Sequence, residues 1–172
     1  GGMGDYGAAT SADANSIHWN ASKLAFAEKN AGFSISYTPW LRALVNDINL
    51  AYLSGYKKLN DQQALAASLR YFSLGNIDFT NENAEKTGSY NPNEWALDLA
   101  YTRKLSEQFS GGLTLRYIYS NLTGGIAIQN NTIQTRAGKS VAADISAYYR
   151  NEDIKVSGKD AKLAFGLNIS NI

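Results

Sequence analysis

Residues 95–119, which read WALDLAYTRKLSEQFSGGLTLRYIY, decide the fold of this 172-residue chain. Two runs in this stretch carry a large apolar or aromatic residue at every second position, with mostly small or polar residues between them. The members of these runs are Trp95, Leu97, Leu99 and Tyr101, followed by Leu113, Leu115, Tyr117 and Tyr119. A period of two predicts a strand with one apolar face, and the short connection at 105–111 predicts that the two strands are antiparallel.

The same alternation recurs along the chain beyond residue 30. The alternating segments are 32–37, 48–56, 65–71, 95–102, 112–119, 141–149 and 163–169. No convincing helical pattern interrupts them, so the sequence predicts an all-β chain of about seven antiparallel strands in consecutive order.

The connections between these strands alternate in length. Long polar or Asn-rich connections occupy 38–47, 73–93 and 120–138, whereas 57–61 and 105–111 are short. Transmembrane β-barrels of the outer membrane combine short turns on the periplasmic side with long loops on the outside. This rhythm therefore favours a transmembrane β-barrel whose long loops are external.

Aromatic residues lie near both ends of the predicted strands, where membrane barrels carry interfacial girdles. We expect both girdles on the apolar face of the strands. The outer rim, next to the long external loops, comprises Tyr37, Tyr71, Trp95 and Tyr119, and the inner rim, next to the short turns, comprises Phe33, Tyr56, Tyr101 and Tyr149. A soluble β-sandwich with one buried face would explain the alternation, but it would explain neither the two girdles nor the loop rhythm.

Four charged residues of alternating sign fall on the opposite face of four successive strands. They are Arg70, Asp98, Arg116 and Asp144. Neighbouring residues of this kind can pair across an antiparallel sheet. Two interpretations stay open: a structural charge ladder in the barrel wall, which we favour, and a polar path or ligand site in the lumen.

Composition excludes several other classes of function. The chain has no cysteine, one histidine and a formal net charge of +1. It therefore has no disulfide and no thiolate nucleophile, and its charge gives no support for nucleic-acid binding. His18 lies near Ser16 and Asp13, but no nucleophile-elbow pattern surrounds a serine. We expect no catalytic activity, no metal site and no cofactor.

The predicted strand number also bears on how the barrel closes. Single-chain bacterial barrels have an even number of strands, whereas seven are predicted here. Residues 1–30 are mainly small and polar, which suits a compact hatch segment inside a wide lumen, and no aromatic residue follows Phe165. We therefore expect a hatch at 1–30, strands and loops at 31–172, and the N-terminal half of a larger barrel.

Seven short motifs between residues 1 and 118 are typical of one group of membrane proteins. They are GGMGD at 1–5, HWN at 18–20, SYTPWLR at 36–42, SLRYFSLG at 68–75, PNE at 92–94, FSG at 109–111 and LRYI at 115–118. With these motifs the chain resembles the PorV family, the FadL-like outer-membrane proteins of the type IX secretion system. It departs from the FadL-type pattern at Asn20-Ala21-Ser22, where a proline is missing.

The resemblance implies a fourteen-stranded barrel and a function in protein transport. A member of this family is expected to bind the C-terminal signal domain of secreted cargo and to carry it from the translocon barrel to the attachment complex. Outer-membrane lipid would surround it. Two alternatives stay open: a FadL-like transporter of hydrophobic small molecules, and a small, complete structural or adhesive barrel.

Two of the long connections are candidate partner-binding surfaces, because they carry apolar residues where an external loop is normally polar. Exposed apolar groups of this size often mark interaction sites, and Trp and Arg are favoured interface residues. The candidates are Pro39, Trp40, Leu41, Arg42, Leu44 and Val45, with Ile126 and Ile128 in the later loop. The alternative is that the first loop folds over the barrel mouth or onto the hatch.

Overall fold

A computed structural model describes residues 7–40, 47–122, 136–156 and 158–172. Two short helices precede the strands in this part of the chain: α1 at Ser16–Trp19 and a 3₁₀ helix at Ala21–Phe26. The strands are β1 Ala31–Pro39, β2 Ile48–Asn60, β3 Gln63–Leu74, β4 Ile77–Thr80, β5 Lys86–Tyr90, β6 Asn93–Lys104, β7 Phe109–Asn121, β8 Gly138–Val156 and β9 Lys159–Ile169. No helix among the described residues has the length and apolar character needed to cross a bilayer.

Seven of the strands form one antiparallel sheet in the order β1-β2-β3-β6-β7-β8-β9. This confirms the all-β prediction and the seven consecutive strands. The remaining strands, β4 and β5, form a separate hairpin between β3 and β6. The sequence analysis did not predict this hairpin, because its strands of four and five residues are too short to show a clear period.

The connections of the seven-stranded sheet alternate in length, as expected. We call one end of the sheet the long-loop end, where the connections are 40–47, 75–92 and 122–137. The opposite end is the short-turn end, where residues 61–62, 105–108 and 157–158 connect the strands. The β4–β5 hairpin therefore belongs to the long-loop end.

The two faces of the sheet differ in chemistry. One face, the outer face, exposes large apolar side chains, among them Phe33, Ile35, Leu53, Leu69, Leu99, Leu115, Val141, Ile145, Leu163, Phe165 and Leu167. The other face, the inner face, holds buried small and polar residues, including Ser54, Ala66, Ser68, Asp98, Ala100, Thr102, Thr114, Asp144 and Ser146. A soluble sandwich buries the apolar face of each sheet, so this arrangement is the reverse of that expected for one.

Aromatic residues form a row on the outer face near the long-loop end. Tyr71 pairs with Trp95, which in turn pairs with Tyr119. The rings of Trp95 and Tyr119 stack at 5.6 Å between centroids. Near the short-turn end Tyr149 pairs with Phe109 and Phe165.

Strand β2 is the exception to the predicted faces. Phe33 pairs with Gly55, so Gly55 and Leu53 share the outer face while Tyr56 lies on the inner face. Tyr56 is buried and its hydroxyl donates to the Lys29 carbonyl at 3.3 Å. The prediction that Tyr56 belongs to an aromatic rim on the apolar outer face was wrong. Strand β2 carries apolar residues on both faces, so its pattern does not decide which set points outward, and an assignment that is off by one residue exchanges the two faces.

The inner face is covered by residues 7–30, which we call the N-terminal segment. Its 3₁₀ helix contacts β2, β3, β6, β7 and β8. Five neighbouring strands span about 19 Å, which exceeds the length of this six-residue helix, so contact with all five fits a sheet that curves around the helix. The main buried apolar cluster lies at this contact and comprises Ile17, Ala21, Leu24, Ala27, Tyr56, Ala64, Ala66 and Ala100.

Candidate functional site

The N-terminal segment is held against the inner face by Asn20. This residue is fully buried, and its side-chain Nδ2 donates to the carbonyls of Ala8 and Ala147, each at 2.9 Å. Its Oδ1 accepts from the Ser22 amide at 3.1 Å and so caps the 3₁₀ helix. In this chain the turn that lacks the proline is therefore stabilised by side-chain hydrogen bonds.

Small residues on two strands make room for the backbone of this segment. Gly112 on β7 faces the Ser22 amide, which would lie 3.1 Å from a Cβ at that position. On β9, a side chain at Gly166 would overlap the Ala8 carbonyl. The hydroxyl of Ser110, two residues before Gly112 on β7, donates to the Ser22 carbonyl at 2.7 Å. The sheet is thus shaped to receive the segment at close range.

Lys23 is a buried cation within the N-terminal segment. Its Nζ donates to the Gly7 carbonyl at 2.6 Å and to the Thr10 hydroxyl at 2.9 Å. Burial lowers the pKa of this amine from its usual value, and the charge of Asp13 opposes that change. Lys23 therefore ties two parts of the segment together.

Three of the four ladder residues form one buried cluster, which we call the charge cluster: Asp98, Arg116 and Asp144. Arg116 Nε lies 2.6 Å from Asp98 Oδ1, and its Nη2 lies 3.0 Å from Asp144 Oδ2. The side chains of Asp98, Arg116 and Asp144 are only 2%, 12% and 7% exposed. The Ser68 hydroxyl donates to Asp98 Oδ2 at 2.8 Å. The cluster therefore links β3, β6, β7 and β8.

The fourth ladder residue, Arg70, has a different partner. Its Nη2 donates to His18 Nδ1 of the N-terminal segment at 2.8 Å, and its guanidinium lies 5.6 Å from the centroid of the Tyr52 ring. The His18 side chain keeps contact with solvent, but partial desolvation lowers its pKa from the ordinary value, and the charge of Arg70 lowers it further. Arg70 thus connects the sheet to α1.

Phe26 forms a cluster at the short-turn end that the sequence analysis did not identify. Its ring lies 4.5 Å from the Arg150 guanidinium, 5.1 Å from Lys104 Nζ and 5.8 Å from the Tyr148 ring. Cations over an aromatic face are attracted to its quadrupole. The only feature of the sequence that could have indicated this cluster is a single Phe in a segment of mainly small residues. Its partners lie far away in the sequence, so no local pattern connects them.

A cavity of about 920 Å³ lies between the N-terminal segment and the inner face. Its lining is rich in charge and includes Asp13, Lys23, Glu28, Lys29, Arg150, Glu152 and Lys162. Such a wall favours water and polar groups over an extended apolar ligand.

The partner-binding candidates lie at the long-loop end where the structure describes them. Pro39 is the last residue of β1. Trp40 follows it with 51% of its surface exposed, and its amide donates to the Ile48 carbonyl at 2.9 Å. The other candidates lie outside the described residues: Leu41, Arg42, Leu44, Val45, Ile126 and Ile128.

The β4–β5 hairpin adds a structured element to the same end. Asp78 and Lys86 form an exposed ion pair at 2.7 Å across it. The Tyr90 hydroxyl donates to the Asn121 carbonyl at 2.7 Å, and the Asn76 amide donates to Asp47 at 2.5 Å. The hairpin is therefore attached near the long-loop ends of β2 and β7, which lie on either side of β3 and β6 in the sheet.

These features define the chain as an all-β, barrel-like protein with an apolar outer face and an inner face covered by its own N-terminal segment. The family model of the type IX secretion system protein PorV matches residues 1–172. The chain therefore belongs to the PorV family and is a component of the type IX secretion system. A search of curated protein sequences found no match.

Proposed function

We propose that the chain is an integral outer-membrane protein and forms part of a FadL-type barrel of fourteen strands, with residues 1–30 as its hatch and 31–172 as strands and loops. The apolar outer face supports this proposal, because lipid is the solvent that such a face requires. Among the described residues β1 pairs with β2 alone and β9 with β8 alone. A bilayer does not tolerate open sheet edges, so further strands are expected to pair with both.

Its role is to bind the C-terminal signal domain of secreted cargo and to carry it from the translocon barrel to the attachment complex. Family membership supports the secretion role. The observation that carries the binding role is the exposed Trp40 at the long-loop end. Within the described part of the chain, the inner face offers no comparable surface to a partner, because the N-terminal segment already covers it. Handover of a folded domain needs a surface and no reacting groups, so no catalytic step is assigned.

A FadL-like transporter of hydrophobic small molecules is less well supported. Such a transporter requires an apolar path inside the barrel. In the part of the chain that the structure describes, the inner face carries the charge cluster, and its cavity is lined by charged groups such as Glu28, Lys29 and Lys162. Saturable uptake of a fatty acid that depends on this protein would favour the transporter.

The binding proposal is tested by Trp40→Ala in the protein in its native outer membrane. We expect weaker capture of the translocon barrel and of a cargo C-terminal signal domain, with less cargo released. Truncation of a Trp at the centre of an interface typically costs about 2 kcal/mol or more, or roughly 30-fold in affinity.

Leu105→Ala is the matched control, since Leu105 is 64% exposed but lies at the short-turn end. It should leave capture and release unchanged. Equal capture by the wild type and the Trp40→Ala protein would refute the assignment of this loop.

A further inference from the structure

The outer face of the sheet contains a groove in its otherwise bulky apolar surface. The groove has a volume of about 880 Å³, is open to the outside, and crosses strands β1, β2, β3, β6 and β7. Gly55 and Ala67 form its floor, and the larger side chains of Phe33, Leu53, Leu69 and Leu99 line its sides. It lies on the face opposite the N-terminal segment and is therefore separate from the charge cluster.

The groove follows from the register of the strands. Phe33 pairs with Gly55, Gly55 with Ala67, and Ala67 with Leu99. Two small residues thus stand side by side between two large ones. A Cβ at Gly55 would approach the Gly32 carbonyl closely, at 3.3 Å, and the Phe33 side chain at 3.7 Å. Because Gly55 and Ala67 lie on the outer face, a larger side chain at either position would project into the groove.

Lys57 and Tyr101 lie at one end of a groove whose lining is otherwise almost wholly apolar. Lys57, Leu65 and Tyr101 share the next outer-face row toward the short-turn end, and all three line the groove. From Leu53 to Lys57 the groove runs roughly 13 Å at about 3.3 Å per residue. The apolar groove therefore ends at a Lys and a Tyr side chain, a combination typical of the membrane–water interface.

We propose that this groove is a phospholipid site, in which an acyl chain lies over Gly55 and Ala67 and the lipid phosphate binds Lys57. The proposal rests on the membrane location given under Proposed function. The lining supplies apolar contact along the chain, and the ammonium group of Lys57 is complementary to an anionic headgroup.

The dimensions favour a lipid over a protein helix. Phe33 and Leu99 are three strand spacings apart, or roughly 14 Å between backbones, and their own side chains occupy part of that width. A helix with its side chains is about 10–12 Å across and would not reach the floor. One or two acyl chains would.

The test is native mass spectrometry of the full-length protein, extracted from its own outer membrane and exchanged into mixed micelles of phosphatidylglycerol and phosphatidylethanolamine. We expect one phospholipid that survives activation longer than the others. Ala67→Leu fills the floor and should lower retention of that lipid at least tenfold. Lys57→Gln should keep the lipid but remove the preference for phosphatidylglycerol.

Ala51→Leu is the matched control, since Ala51 lies on the same strand and face as Gly55 but between Tyr37 and Tyr71, outside the groove. Equal lipid retention by the Ala67→Leu and Ala51→Leu proteins would overturn the proposal. So would unchanged lipid retention accompanied by loss of a co-purifying protein from Ala67→Leu, which would identify a protein interface. The recovery of each variant in the outer-membrane fraction is measured in parallel. If all variants are recovered there but lipid retention does not differ, the lipid site is refuted while the membrane location stands.

Discussion

At the scale of single residues, the charges of alternating sign on one face of the strands correspond to contacts within the sheet for three of the four residues. Asp98 and Arg116 are direct cross-strand partners, and Arg116 also reaches Asp144 on the next strand. The same pattern did not indicate the partner of Arg70. Arg70 contacts His18, which is 52 residues away in the sequence and belongs to an element without a repeating pattern.

His18 gives a pH prediction at this scale. Its pKa is lowered from 6.5 by burial first and by the charge of Arg70 second, so the folded state favours the neutral ring that accepts the Arg70 hydrogen bond. The corresponding stability is fully present above pH 6.5 and is lost as the pH falls through the lowered value. Since His18 is the only histidine, its ring resonance can be followed by NMR in detergent.

We expect a titration midpoint below 6.5 in the wild type and a midpoint closer to 6.5 in the Arg70→Gln protein. A wild-type midpoint at or above 6.5 would contradict the contact. Lys86→Gln, which removes a cation of the β4–β5 hairpin, is the control and should leave the midpoint unchanged.

At the scale of elements, the attachment of the N-terminal segment depends on Asn20. Asn20→Ala removes the helix cap and leaves the Ala8 and Ala147 carbonyls without this donor. The loss of buried hydrogen bonds typically costs about 1–3 kcal/mol, so we expect faster hydrogen exchange over residues 16–26 by roughly 5- to 150-fold.

The exchange of the sheet strands should change little in the same Asn20→Ala sample, because their ladder hydrogen bonds are untouched. Ser11→Ala is a suitable control, since Ser11 is exposed in the same segment. Equal protection of residues 16–26 from hydrogen exchange in the Asn20→Ala and Ser11→Ala proteins would show that apolar packing holds the 3₁₀ helix instead.

At the scale of the whole molecule, the exposed apolar face predicts how the chain responds to a charge on it. Ile145 lies near the middle of β8 on the outer face and is 54% exposed. In a bilayer, Ile145→Arg should destabilise the folded protein by about 2–4 kcal/mol and reduce its recovery in the outer-membrane fraction. Reversible urea unfolding in lipid vesicles measures the difference.

Leu105→Arg places the same charge at the short-turn end, where the cost near the interface is only about 0–1 kcal/mol. A soluble protein would tolerate both substitutions at its surface. Equal stability of the two variants would therefore argue against insertion of this face into lipid.

The amino-acid sequence by itself determined the seven strands, their order and most of their faces, because a period of two is a local property that each strand carries in its own residues. Family-specific motifs likewise lie in short, contiguous stretches. The tertiary structure alone decided the face of β2, the β4–β5 hairpin, the partner of Arg70, the cluster around Phe26 and the groove over Gly55 and Ala67. Each of these depends on register or on contacts between residues far apart in the chain, and one residue of register exchanges the two faces of a strand.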